Sequence, residues 1–269
     1  RADIFPKTVY ITPLCRTRQT AEVLFPGARL VEIDGLKEMC FGSFEGRNYI
    51  EMEHDPDYLA WVAANCESPC PDGETKAAFS ERICRAFSAL VDKALAENID
   101  MINRVYNTGS MKAAAGAAVV LDVKDGSVLA SANYPSFDQN LYATNYSEYN
   151  ADPSLPLFNR ALQGLYTPGS TFKPAVAVAA LDSGLINQYS TVFCNGVYTF
   201  YKGYSPRCTR HGHSGNIDVV TAIKWSCNIF FYDVGRRLTS DVYDAYAYKL
   251  GLGQRTGVEV SEAVGHLTS

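Results

Sequence analysis

The sequence predicts a mixed α/β fold built in two parts, and three observations carry that prediction. Short β-branched runs alternate with helical stretches in the first third. An apolar repeat of helical spacing follows, from about residue 75 to 106. Beyond it, two β runs meet at Asp125-Gly126, a pair that tolerates the positive φ angles of a tight turn.

In order, KTVYIT (7–12) reads as strand, CRTRQTAEVLF (15–25) as helix, ARLVEI (28–33) as strand and YIEMEHDPDYLAWVAA (49–64) as helix. PCPDGE (69–74) is a loop by composition. Phe79, Ile83, Phe87, Leu90, Ala94 and Leu95 then share one helical face that continues toward Ile102 and Val105. GAAVVLDVKDGSVLASANYP (116–135) reads as an antiparallel hairpin, 135–158 as a polar loop and the stretch from Ser170 as a helix. Residues 190–216 read as irregular, and Val219–Val234 as one further helix.

Composition bounds the function. The chain has 269 residues, 47% of them hydrophobic, enough for a substantial core. Its net charge of −5 sits in the front third, where residues 1–92 carry 10 Lys/Arg against 15 Asp/Glu. With no basic stripe, a nucleic-acid partner is excluded. No apolar run reaches the length of a membrane span. Five of the eight cysteines lie in the first 92 residues at irregular spacings, so thiols are expected there.

Pro168-Gly169 precedes Ser170, and Lys173 follows one turn later on the same face. A partly buried amine near the positive end of a helix loses some preference for its proton, so it could accept one from Ser170 and leave a nucleophile. A serine at a helix start is also a common cap. The context is Ser226-Cys227-Asn228, 56 residues on and followed by an aromatic run. Ser-x-x-Lys with Ser-x-Asn is the opening of a known catalytic signature set.

Four stretches carry a resemblance: GAAVVLDVKDGSVLASANYPSFD, NRALQGLYTPGSTFKP, HGHSGNIDVVTAIKWSCNIFFYDVG and YKLGLGQRTGVEV. On them, residues 93–269 resemble the transpeptidase domain of class B penicillin-binding proteins of the elongation type. The resemblance implies an incomplete serine β-lactamase/DD-peptidase-like fold and a peptidoglycan D,D-transpeptidase, with stem peptides as substrates and β-lactams as acylating inhibitors. It implies Ser170 as nucleophile, Lys173 as proton acceptor, Ser226 as proton relay and Asn228 as a ligand for the substrate amide. It also implies a membrane-anchored parent on the extracytoplasmic face, working with cell-wall synthesis machinery. The family's third motif, Lys-Thr/Ser-Gly on a strand, has no counterpart; Arg255-Thr256-Gly257 reads as a turn after GLGQ.

Residues 1–92 resemble the histidine phosphatase superfamily through VYITPLCRTRQTAEVLFPGARLVEIDGLKEMCFGSFEG and PCPDGETKAAFSERICRAF. This implies an incomplete α/β segment, cytoplasmic in its parent, with Arg16 on the phosphoryl group and Glu38 as the acid for the leaving oxygen. The nucleophilic histidine of that family is missing, and His54 sits in an acidic context as a surface residue, so phosphomonoesterase activity is not expected. The resemblances meet near 88–96 inside the long helix, without a linker, which makes an inactive composite of two pieces the competing reading.

No organic cofactor is implied. Cys194, Cys208, His211 and His213 form a zinc-compatible set of sulfur and imidazole. A Cys194–Cys208 disulfide and unpaired loop residues are the alternatives. Cys227 reads as a small packing residue.

Overall fold

A computed structural model describes residues 6–105, 112–209 and 212–267. Packing divides the chain into two compact units, residues 1–161 and 162–269.

The first unit opens with β1 (Thr8–Ile11), α1 (Cys15–Leu24) and β2 (Arg29–Glu32), the two strands parallel with Thr8 opposite Arg29. This is the βαβ unit that alternating signals predict. The helix expected over 49–64 is shorter: α2 spans Pro56–Ala63. Asp55 caps it, its Oδ1 accepting from the amides of Asp57 and Tyr58, and Pro56 follows at the first helical position. Around α2, Phe44, Met39, Met52 and Cys70 form a small core with Tyr58, Trp61 and Phe79 packed against it.

Helix α3 (Lys76–Val105) fulfils the long apolar repeat. Its face is buried only as far as Ile99; Ile102 and Val105 are exposed, so the stripe stops one turn short of the expected end. Near its start, Arg82 spans a dense set of acceptors. It donates to both carboxylate oxygens of Glu74 (2.7 and 2.6 Å) and to the carbonyls of Gly35, Lys37 and Glu38. Near its end, Asn103 exchanges two hydrogen bonds with the backbone of Ala113. Ile99 lies against Gly116, where an added Cβ would come within 3.1 Å of its Cδ1. Glycine there lets the helix close on the sheet that follows.

That sheet is the predicted hairpin, β3 (Gly116–Leu121) with β4 (Val128–Tyr134), antiparallel, its register shifting between Val120 and Leu121. The connection is wider than a two-residue turn. Gly126 takes the positive φ (78°), while Asp122 and Asp125 hold the loop by accepting from Lys124 N and Ser127 N. Within the expected loop 135–158 lies a helix, α4 (Tyr142–Ala151), stabilised by a Phe137–Tyr142–Tyr146 aromatic cluster. The short α5 (Arg160–Gln163) carries the buried Arg160, whose guanidinium donates to the carbonyls of Ser154, Leu155 and Phe158.

The second unit is mainly helical. A 3-10 turn, Gly169–Phe172, leads into α6 (Lys173–Asp182). The stretch expected to be irregular contains a small antiparallel pair, β5 (Val192–Cys194) and β6 (Gly215–Ile217). The single helix expected over 219–234 is two: α7 (Val219–Lys224) and α8 (Asn228–Arg237). Asp218 caps α7 through the Thr221 amide, and Ser226 breaks the run with a left-handed φ of 52°. Helix α9 (Ser240–Lys249) follows. Ala177, Ala179, Ala180 and Ala222 let these helices approach closely around Phe230 and Val234. Fully burying a side chain such as Phe230 contributes about 1.5–3 kcal/mol. Arg255-Thr256-Gly257 lies on no strand; it is an irregular segment just after the turn at 251–253, where Glu262 accepts from Thr256 N, Thr256 Oγ1 and Gly257 N.

Candidate active site and metal cluster

Ser170 stands exposed in the 3-10 turn, directly after Gly169, whose φ is 54°. The amide of Lys173 donates to the carbonyl of Ser170, closing that turn. In 3-10 geometry, side chains three apart are eclipsed, so Ser170 and Lys173 share one edge of the chain.

The break between α7 and α8 supplies the other wall. Ser226, held left-handed, turns its carbonyl out of the helical ladder, and Asn228 opens α8. Lys173 Nζ donates to all three acceptors this break presents. They are Ser226 O at 2.8 Å, Ser226 Oγ at 2.9 Å and Asn228 Oδ1 at 2.6 Å. An ammonium has three protons, and here each has a partner. Asn228 is oriented in turn: its Nδ2 donates to Arg207 O and its backbone amide to Cys208 Sγ. Burial holds the Lys173 ammonium below the ordinary lysine value, while the nearby sulfurs of Cys208 and Cys227 pull the other way. The site therefore contains an amine with lowered proton affinity, tied to a second hydroxyl and one turn from an exposed one. Lys173, Ser226 and Asn228 are brought together by direct bonds, whereas Ser170 is tied to Lys173 only through the backbone of the turn.

Beside it, Cys194, Cys208, His213 and Cys227 gather their ligand atoms within 4.8 Å of one another. His213 Nε2 lies 3.7 Å from Cys194 Sγ and 3.6 Å from Cys208 Sγ, and Cys208 Sγ lies 3.9 Å from Cys227 Sγ. A tetrahedral zinc with sulfur at about 2.3 Å and nitrogen at about 2.0–2.1 Å spaces sulfurs about 3.8 Å apart and sulfur from nitrogen about 3.6 Å. The cluster is geometrically consistent with a metal site. All eight cysteines are free, so the Cys194–Cys208 disulfide is replaced by this arrangement. His211 lies outside the described residues. Cys227 corrects the sequence reading: it is a member of the cluster, with burial pushing its thiol up to about 12. The spacing Cys-x13-Cys-x4-His-x13-Cys was the available signal. His213 stacks on Trp225, and its buried Nδ1 has no hydrogen-bond partner among the described residues.

In the first unit, Arg16 Nη2 lies 3.9 Å from Glu38 Oε2, both side chains more than half exposed. Arg16 lines a cavity of about 430 Å³ with Thr12, Thr17 and Thr20. His54 is fully at the surface, as expected.

Residues 116–268 match the penicillin-binding protein transpeptidase domain. The chain belongs to that family. Among relatives of this transpeptidase domain, the peptidoglycan D,D-transpeptidase MrdA of Haemophilus influenzae is 34% identical over 193 residues, 67% of this chain and 29% of that protein. The MrdA of Escherichia coli is 34% identical over 61% of this chain and 27% of its own length. Pseudomonas aeruginosa PBP2, solved in complex with WCK 5153, superposes with a TM-score of 0.53 at 36% identity, covering 57% of this chain and 35% of that one. The chain thus spans about a third or less of these relatives. Residues 2–133 match the histidine phosphatase superfamily (branch 1), so both families claim the β3–β4 hairpin. Among the described residues, no helix is long and apolar enough to cross a membrane.

Proposed function

We propose that this chain carries the acylating half of a peptidoglycan D,D-transpeptidase, with its family boundary near residues 92/93. The observation that carries the reading is the three-way bonding of Lys173 to Ser226 and Asn228 beside the Ser170 turn. Once Lys173 has given up one of its three protons, its free lone pair can take the proton of Ser170 as Ser170 Oγ attacks the carbonyl carbon of the D-Ala-D-Ala peptide bond of a stem peptide. Ser226 Oγ hands a proton to the departing D-Ala amine and takes the one now on Lys173 in its place, leaving an acyl ester on Ser170 and Lys173 neutral again. An amine from a neighbouring stem peptide then attacks the ester, forming the cross-link and returning the hydroxyl. Asn228 aligns the substrate amide. On this reading the parent protein is anchored in the membrane and acts on its outer face with wall-synthesis partners.

Cys194, Cys208, His213 and Cys227 would hold zinc, as three thiolates and one imidazole. Held by these four residues, such an ion would keep the thiols deprotonated, and Cys208 and Cys227 would then tie the loop bearing Cys208 to the Ser226–Asn228 break. The phosphatase-like segment keeps Arg16 at a cavity and within 3.9 Å of Glu38, and is read as a phosphate-site relic without turnover.

Fluorescent penicillin labelling tests the assignment. Covalent labelling that disappears in Ser170→Ala is expected; labelling that survives this change, or none in the parent chain, sinks it and leaves the inactive composite.

A further inference from the structure

Phe231 sits on α8 three residues after Asn228, and its ring centroid lies 5.7 Å from Lys173 Nζ. The ring is 8% exposed and packs edge-on against Phe230 at 5.2 Å. It also lines an aromatic cavity of about 880 Å³, together with Phe172, Val176, Tyr198 and Tyr232. Phe172 and Val176 flank Lys173 along the chain, yet Lys173 itself does not line that space. Lys173 is half-buried, with its donors directed to Ser226 and Asn228, and Phe172, Val176 and Phe231 line the cavity next to it. A cavity of this volume admits water, and water reaching Nζ would compete for each of those bonds.

We propose that Phe231 is a positioning residue for the Ser170–Lys173 chemistry: its ring closes the wall between the aromatic cavity and Lys173, and so reserves the amine for Ser226, Asn228 and the incoming Ser170 proton. The inference rests on the acyl-transfer reading above. The balance of the proton step is unchanged; Phe231 makes a ring contact with the ammonium but no hydrogen bond, and excludes a competitor. An apolar side chain of similar volume serves the same purpose, which separates this role from a requirement for aromatic chemistry.

The test uses the whole metal-loaded chain. Trace acetylation with acetic anhydride at about pH 9, read by mass spectrometry, compares Lys173 with Lys224 and Lys249 as internal references. Phe231→Ala is expected to raise Lys173 labelling severalfold, Phe231→Leu to leave it near the parent value and Phe231→Val to fall between. Val also keeps the test open should Ala fail to fold. An unchanged ratio in Val and Ala, or a rise in Leu equal to that in Ala, overturns the proposal. In parallel, penicillin acylation is expected to slow about tenfold or more in Phe231→Ala and to recover in Phe231→Leu. Acetylation that follows the wall while Ser170 takes no label refutes the acyl-transfer reading and not the wall. Labelling by Ser170 with acetylation indifferent to Phe231 refutes the wall alone.

Discussion

Replacing Glu74 with Gln removes the charge around which Arg82 is arranged. The Arg82 guanidinium holds the Glu74 carboxyl down to about 2, with the Cys40 amide adding to the effect. At 1.36 kcal/mol per pH unit, the drop from 4.5 sets a ceiling of about 3.4 kcal/mol. Both side chains keep about a fifth of their surface in solvent (22% and 23%), so water screens the pair, and we assign about half of the ceiling, ~1.5 kcal/mol. In a unit of this size that is about 3–6 °C in Tm. Because the folded carboxyl titrates below its unfolded value, the contribution is complete above about pH 5 and drains away as pH falls toward 2. Thermal unfolding followed by Trp61 fluorescence in a Trp225→Phe background isolates the first unit. Glu74→Gln is expected to melt lower at pH 7, with the deficit less than half as large by about pH 3. A deficit that persists undiminished in acid, or none at pH 7, refutes the charge argument.

Other outcomes follow from single contacts. Ser226 is left-handed, so Ser226→Gly should be more stable than Ser226→Ala by about 1 kcal/mol in urea unfolding, both losing the hydroxyl; equal stabilities would show that the backbone there is unstrained. Cys227→Ser should lower bound zinc and shift the emission of Trp225, which stacks on His213; retained stoichiometry by elemental analysis would remove Cys227 from the ligand set. Arg160→Met strips donors from three carbonyls and should cost about 2–3 kcal/mol, seen as faster amide exchange over 154–158; unchanged exchange would make the clamp dispensable.

The parts of the fold that could be read in advance are those where one local rule acts without competition. The 30 residues of α3 follow a single apolar period, and the hairpin follows alternation plus Gly126. What escaped reading depends on contacts distant in sequence. Helix α4 has no apolar stripe and is held by aromatic neighbours around Phe137. The division of 219–234 into two helices is invisible in propensity, because the apolar pattern runs through it; Lys173, 53 residues earlier, takes up the carbonyl that the break releases. Lys173, Ser226 and Asn228 were legible as a motif, whereas Cys227 was masked by it, a sulfur between two residues already given roles.

The continuity of α3 has a consequence for anyone wishing to dissect the chain. Its first turns are bolted to the Glu74–Gly35 region by Arg82, and its last to Gly116 and Ala113 by Ile99 and Asn103. A cut at 92/93 would leave two half-helices, each with one end docked and a raw end in water, and an orphaned hairpin beside the second. The family boundary proposed near 92/93 thus falls where the folded chain cannot be cut.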